Sequence, residues 1–307
     1  MEVYRPTCLD DALQYMWECA QAQVQAQAQA QGNPARPIAG GTDFMVAARQ
    51  APSDAEQSAT WRVIDISGMP EISGIRVDGD EVCIGAATTH TQIEESAVIL
   101  RAAPFLAEAV ATIGSRQIRN RATIGGNVMN ASPAADSLPP LVALSAMATL
   151  ASVRGRRRLS VSELVTGPYR TAAAPDELLL DVRFRALEPG ARSAFIKVGR
   201  RRALAISRLA AAVAALFDSD ARIPDIRISA GAAFPMPCRI DQAEQVLLGS
   251  VYSAELAEQA GREAARAMVS ATGVRWSREY KEPVLAAIIT RAIRQCAAKE
   301  GLDVWPE

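Results

Sequence analysis

Leu9, Leu13, Met16 and Trp17 recur roughly on one helical face, with Thr7 ahead of them as a capping hydroxyl and Asp10 as first-turn negative charge, so a helix is predicted from residue 7. It runs into residues 20–31, almost pure Ala and Gln. Both are strong helix formers, and a polar helical extension ended by Gly32-Asn33-Pro34 is predicted, with a disordered Gln tract as the alternative. Arg36-Pro37-Ile38-Ala39 reads as a short strand and residues 43–50 as a helix. Residues 62–66 and 81–86 alternate or run apolar as strands, with Asp78-Gly79-Asp80 turning into the second. Residues 93–115 are helical in pattern, and 138–150 are apolar. A Gly- and Arg-rich turn at 154–158 separates two strands, and 177–184 is another. From Phe195 the order becomes strand, an Ala-rich apolar segment (204–217), a strand (226–232), and helices over 253–270 and 283–299. The change of character sets a domain boundary near residues 168–175, and no internal repeat is visible.

Composition changes the picture mainly by exclusion. With 307 residues, 49% of them hydrophobic, the chain can bury two domains' worth of core. Thirty-three basic and 34 acidic side chains give a formal charge of −1, so neither nucleic acid nor an anionic membrane is indicated as a partner. No basic leader precedes an apolar core and no apolar run suits a membrane span, so a cytoplasmic location is expected. Cys8, Cys19, Cys83, Cys238 and Cys296 stand singly and His90 is the sole histidine. No metal site, iron-sulfur cluster or Ser-His-Asp set can be assembled from that supply, and no catalytic side chain is assigned. Redox chemistry on this chain would need an organic cofactor.

Candidate chemistry lies in two glycine pairs, Ile38-Ala39-Gly40-Gly41-Thr42-Asp43 and Ala122-Thr123-Ile124-Gly125-Gly126-Asn127. Neither is followed by Lys-Ser/Thr and neither has three spaced glycines, so Walker and Rossmann loops are excluded. Glycine lets a phosphate approach backbone amides, and two such loops suggest a diphosphate gripped from two sides; the alternative for each is a tight turn. Asn130, Ser132 and Asp136 follow the second loop, and Asp136 reads either as a ribose ligand or as a residue at a helix start. Arg116, Arg119 and Arg121 form either a solvated face or a docking edge, and Arg156-Arg157-Arg158 a solvated hairpin. Arg200-Arg201-Arg202 behind Lys197 suit a solvated face or a phosphate of a second nucleotide. His90 is assigned a structural or hydrogen-bonding role over a catalytic one, and Trp276 with its neighbours a packing and capping role.

Taken in order, Ala39-Gly40-Gly41-Thr42-Asp43, Ile118 through Asn127, Ser132-Pro133-Ala134-Ala135-Asp136, Asp176-Glu177-Leu178-Leu179, Phe195-Ile196-Lys197 and Trp276 through Lys281 resemble the FAD-binding medium subunits of molybdenum hydroxylases, most of all the xanthine dehydrogenase type. The resemblance covers nearly the whole chain. It implies an α+β, vanillyl-alcohol-oxidase-type (PCMH-like) FAD fold over residues 1–170, with subdomains of about 1–60 and 61–170, and a C-terminal α+β domain over 171–307 with a small antiparallel sheet and helices. It further implies that Ile38, Ala39, Gly40, Gly41, Thr42 and Asp43 bind FAD, the amides of Ala39 to Thr42 holding the diphosphate. Thr123, Gly126 and Asn127 would complete the diphosphate and ribityl contacts, Asp136 would take the adenosine ribose, and Leu179 and Lys197 would approach the flavin ring.

Two departures accompany the likeness. Ile113 stands at a cofactor-lining position that is often aromatic in the family, and Ala205 stands where Asp is common. A four-cysteine insertion known from a benzoyl-coenzyme-A branch is missing. The implied function is an electron-transfer subunit: FAD here receives electrons from a small subunit with [2Fe-2S] clusters, a large molybdopterin subunit oxidises the substrate, and NAD+ or another acceptor takes the electrons. A dimer of heterotrimers is the implied assembly. The alternatives are a stand-alone FAD-dependent reductase on the same fold and a non-catalytic assembly subunit.

Overall fold

The computed structural model describes residues 2–27, 35–50, 62–201, 204–273 and 277–303. It opens with β1 (Glu2–Tyr4), α1 (Leu9–Gln27), β2 (Arg36–Ile38), α2 (Thr42–Gln50) and β3 (Arg62–Asp65), the strands forming a parallel sheet with β3 in the middle. Its core joins Leu13 and Met16 of α1 to Ile64, Ile66 and Ile72. Trp17 stays outside that core, beneath the Arg154 guanidinium at 5.4 Å. Thr7 does not cap through its oxygen: its amide and hydroxyl both donate to Asp11, and the first amide of α1, that of Leu9, donates to Glu71 Oε1 at 3.2 Å. The Ala/Gln tract is helical to Gln27, and the rest of it lies outside the described residues.

The next body contains β4 (Ile75–Asp78), β5 (Glu81–Gly85), α3 (His90–Glu94), α4 (Ala97–Ala102), α5 (Pro104–Ala111), α6 (Arg116–Arg119), α7 (Ile124–Asn130) and α8 (Leu138–Ala143). It continues with β6 (Met147–Ser152), β7 (Gly155–Ser160), α9 (Val161–Leu164), β8 (Val165–Gly167), β9 (Arg170–Thr171) and β10 (Leu178–Arg185). An antiparallel sheet runs β4-β5-β10-β6-β7. The helical pattern over 93–115 resolves into separate helices, because Ser96 caps Ile99 and Pro104 forces Ala103 out of the α region. The arginine triplet lies in β7 rather than in the turn, where Arg157 makes two bonds to Glu177 at 2.6 and 2.7 Å.

Strand β10 decides where this half ends. Leu178 and Leu180 pack into the first core, while Leu179, Val182 and Phe184 pack into the second, a register shift between Leu179 and Asp181 reversing the alternation so that one strand binds the two layers together. Sheet membership therefore changes after Arg185, downstream of the boundary expected at 170/171.

The remaining chain forms β11 (Arg192–Val198), β12 (Leu209–Leu216), β13 (Asp225–Gly231), α10 (Asp241–Leu247), α11 (Ala254–Thr272) and α12 (Arg278–Lys299). The strands pair antiparallel with β12 central. Leu209, Ala211 and Val213 face α11 and α12 in one core, whereas Ala212 and Ala214 join the core of the preceding body. Burial on both faces, with small side chains where helices pack closely, explains why an alanine run is a strand here despite its helix propensity. Trp276, expected to open the last helix, lies outside the described residues.

Candidate functional site

Strand β2 delivers Ile38 to the first glycine loop, which turns through Gly41 at φ +69° into α2. That positive φ is the conformational reason for glycine at 41. Gly40 serves a different need. A Cβ there would lie 2.6 Å from the carbonyl carbon of Arg121, and nearer still to its oxygen, so only glycine lets the first loop touch the chain entering the second. Among the described residues, the amides of Ala39 through Asp43 take no partner within the chain. These five residues, at the N-terminus of α2, all line the adjoining cleft.

The second loop is anchored differently. Thr123 bridges to Thr89, and His90 N donates to Ala122 O at 3.0 Å. The amides of Ile124 and Gly125 donate to Thr88 O and Ala86 O, Gly126 N to Thr123 Oγ1, and Asn127 N to Thr123 O. Gly125 permits this closeness, since a Cβ there would stand 2.6 Å from that of Ala86. The two loops therefore differ: among the described residues the first has five unpartnered amides, whereas in the second those of Ile124, Gly125, Gly126 and Asn127 are bonded within the protein and only that of Thr123 is not. What the second loop offers is side chains. Asn127 Oδ1 accepts from Ser137 Oγ at 2.6 Å, which leaves its NH2 to donate to a ligand.

Ile38 through Asp43, Thr123, Gly126, Asn127 and Ile113 all line one cleft of about 570 Å³. A second, more apolar cavity of about 220 Å³ shares Pro37, Ala39, Gly126 and Met129 with it and reaches Leu179. The two form lobes on either side of the loops, a shape suited to a long bipartite ligand. Burial raises the pKa of Asp43 at the start of α2.

Asp136 and Lys197 do not join this constellation. Lys197 Nζ contacts Asp136 Oδ2 at 2.6 Å and Thr112 O at 3.0 Å, while Ser207 Oγ donates to the other carboxylate oxygen. With both oxygens engaged and the side chain 6% exposed, Asp136 ties the first half of the chain to the C-terminal domain. Burial raises its pKa against the opposing pull of Lys197 and Ser207. Lys197 also faces a separate cleft of about 960 Å³ between the domains, together with Arg200 and Arg201. Thr112 and Gly114 line that cleft while Ile113 lines the loop cleft, so one short strip walls both.

Sequence reasoning understated His90. It is fully buried, is among the residues that line the loop cleft, and neither ring nitrogen has a partner among the described residues. The Thr89-x-x-Gln92 capping box marks a helix start at this point, but only the Thr89–Thr123 bridge brings it to the loops, a tertiary pairing with no local signal.

Comparison with known proteins agrees with this geometry. Residues 1–184 match the model of the FAD binding domain in molybdopterin dehydrogenase, and residues 194–296 the CO dehydrogenase flavoprotein C-terminal domain. The nicotine 6-hydroxylase medium subunit of Paenarthrobacter nicotinovorans is 33% identical over 77% of this chain and 82% of its own length. A xanthine dehydrogenase FAD-binding subunit of Escherichia coli O157:H7 is 29% identical over 97% of this chain and 96% of its own. A chain of carbon monoxide dehydrogenase from Hydrogenophaga pseudoflava superposes with a TM-score of 0.84 at 27% identity, covering 97% of this chain and 98% of that one, in accord with the expected α+β FAD fold. The free amides of the first loop, the two-lobed cleft and these matches together assign the chain to the molybdopterin dehydrogenase FAD-binding family, as the FAD-binding subunit of a molybdenum hydroxylase-type oxidoreductase.

Proposed function

We propose that this chain relays electrons within a larger complex: it receives them from a partner carrying [2Fe-2S] clusters and releases them to NAD+ or another acceptor, while a molybdopterin-bearing partner oxidises the substrate. The observation that carries the reading is the row of amides from Ala39 to Asp43, unpartnered among the described residues and belonging to residues that line a two-lobed cleft. Bound FAD supplies the redox chemistry, accepting electrons singly and giving them up in pairs. The residues of this chain bind and orient it. Amides at the start of α2 present the positive end of a helix to the diphosphate, and Asn127 donates its NH2. Thr123 holds the start of α7 and Gly126 keeps the junction of the lobes open, while Ile113 and Leu179 supply apolar walls.

The five cysteines contain no paired spacing, which puts the clusters on a partner. Relatives named medium subunit or medium chain support assembly with a small and a large subunit, and a cytoplasmic dimer of such heterotrimers is the proposed form. Among the described residues, no helix is long and apolar enough to cross a membrane. Two readings test the proposal. Purified chain reconstituted with FAD should carry bound-flavin absorbance, and its absence rejects the cofactor role. Anaerobic NADH should bleach that flavin, failing which NAD+ is not the acceptor; turnover of a small substrate without any partner would instead support a stand-alone reductase.

A further inference from the structure

Among the described residues that line the loop cleft, His90 is the buried one whose polar side-chain atoms take no hydrogen bond, and it cannot easily turn away. Its backbone amide is held by Ala122 O, its helix is fixed at the start by the reciprocal Thr89–Gln92 capping box, and Thr91 Oγ1 bonds Asn120 Oδ1 at 2.7 Å. The ring is fully buried, yet both nitrogens lack hydrogen bonds. Such a group is costly to bury unless something completes it.

We propose that His90 is a cofactor-binding residue whose imidazole exchanges a hydrogen bond with a hydroxyl group of the dinucleotide in the glycine-loop cleft. This deepens the FAD reading and rests on it. Hydroxyl is favoured over phosphate by charge. Burial, reinforced by the nearby Arg119 cation, depresses the imidazole pKa to about 4, so the ring is neutral near pH 7. A neutral imidazole has one donor and one acceptor, as a hydroxyl has, whereas an ionised phosphate accepts only and would pull a proton onto the ring. Two parts of FAD carry such hydroxyls, the ribityl chain and the adenosine ribose.

Because His90 is the only histidine, its ring nitrogens can be followed without assignment in protein labelled with 15N-histidine. Long-range 1H–15N spectra should show a neutral ring in the free chain and a shift of at least one ring nitrogen on saturation with FAD. Riboflavin producing the same shift identifies the ribityl hydroxyls, and ADP-ribose producing it identifies the ribose. In flavin-fluorescence titrations, His90→Leu should weaken FAD binding roughly tenfold, the size expected for one hydrogen bond, and His90→Asn should recover part of the loss. Flavin bound with unmoved His90 nitrogens overturns this inference and leaves the FAD assignment standing. Failure of the wild-type chain to bind FAD overturns both.

Discussion

Gly40→Ala tests the claim that the first loop's glycines serve the fold as well as the cofactor. The added Cβ would sit 2.6 Å from the Arg121 carbonyl carbon, nearer to its oxygen, and 2.9 Å from Ala122 Cα. Every one of those atoms is backbone, so no side chain can rotate away; the loops must part by roughly 1 Å, and overpacking of this kind costs about 1–3 kcal/mol. The upper end is expected here, and for a body of this size about 3 kcal/mol corresponds to a fall in Tm of roughly 6–12 °C. Gly126→Ala is the matched control, because its Cβ would meet only Thr123 Oγ1, at 3.1 Å. In a helix the change from glycine gains up to about 1 kcal/mol, so Tm should hold or rise while the methyl group intrudes on the cleft and weakens FAD binding. Scanning calorimetry of the FAD-free chains and flavin-fluorescence titration read the two effects separately. Wild-type stability in Gly40→Ala, or an equal loss in both variants, would refute the reasoning.

The buried Asp136–Lys197 pair predicts that Asp136→Ala destabilises the chain by about 3–5 kcal/mol by stranding a charge, with Lys197→Ala similar and the double variant well short of their sum in urea titrations. His90 predicts an acid-sensitive limb: its native pKa of about 4 lies below the ordinary 6.5, so its contribution, about 3 kcal/mol, is complete above pH 6.5 and lost as pH falls towards 4. His90→Leu should flatten the urea midpoint over that window, and an unchanged slope counts against a neutral buried ring. Gly261→Ala would place a Cβ 2.5 Å from Ala286 O between α11 and α12; a loss of about 1–3 kcal/mol is expected on calorimetry. Flavin affinity should then stay at the wild-type value, since that contact is remote from the loops.

The sequence made legible whatever local chemistry dictates. Alternating or apolar runs marked β3 and β5, turn residues marked the entry to β5, and the glycine pairs marked both loops, while β4 had no expected counterpart. Other features depend on what packs against a segment. The alanine run of β12 acquires strand character from burial on both faces, and β10 is assigned to the first half by strand pairing invisible in its own residues. At the site, local reading treated two similar motifs alike. Only the fold reveals that one has a run of unpartnered amides whereas the other commits those of residues 124–127 to Ala86, Thr88 and Thr123.

That asymmetry bears on how the domains cooperate. The loop cleft is built by the first half of the chain, but the position of Ile113 at its edge follows from Thr112, whose carbonyl is held by Lys197 of the C-terminal domain. Lys197 is in turn fixed by Asp136, six positions beyond the end of α7 and tied to Ser207 across the same boundary. Moving the C-terminal strand β11 therefore moves a wall of the flavin cleft without touching either glycine loop. Asp136 and Lys197 can thus influence the cofactor through the placement of residues 112–114, even though their polar atoms are committed to each other. An Asp136→Ala chain that keeps its FAD affinity yet changes the near-ultraviolet or visible dichroism of the bound flavin would match this arrangement; loss of affinity with unaltered dichroism would instead point to direct ligation.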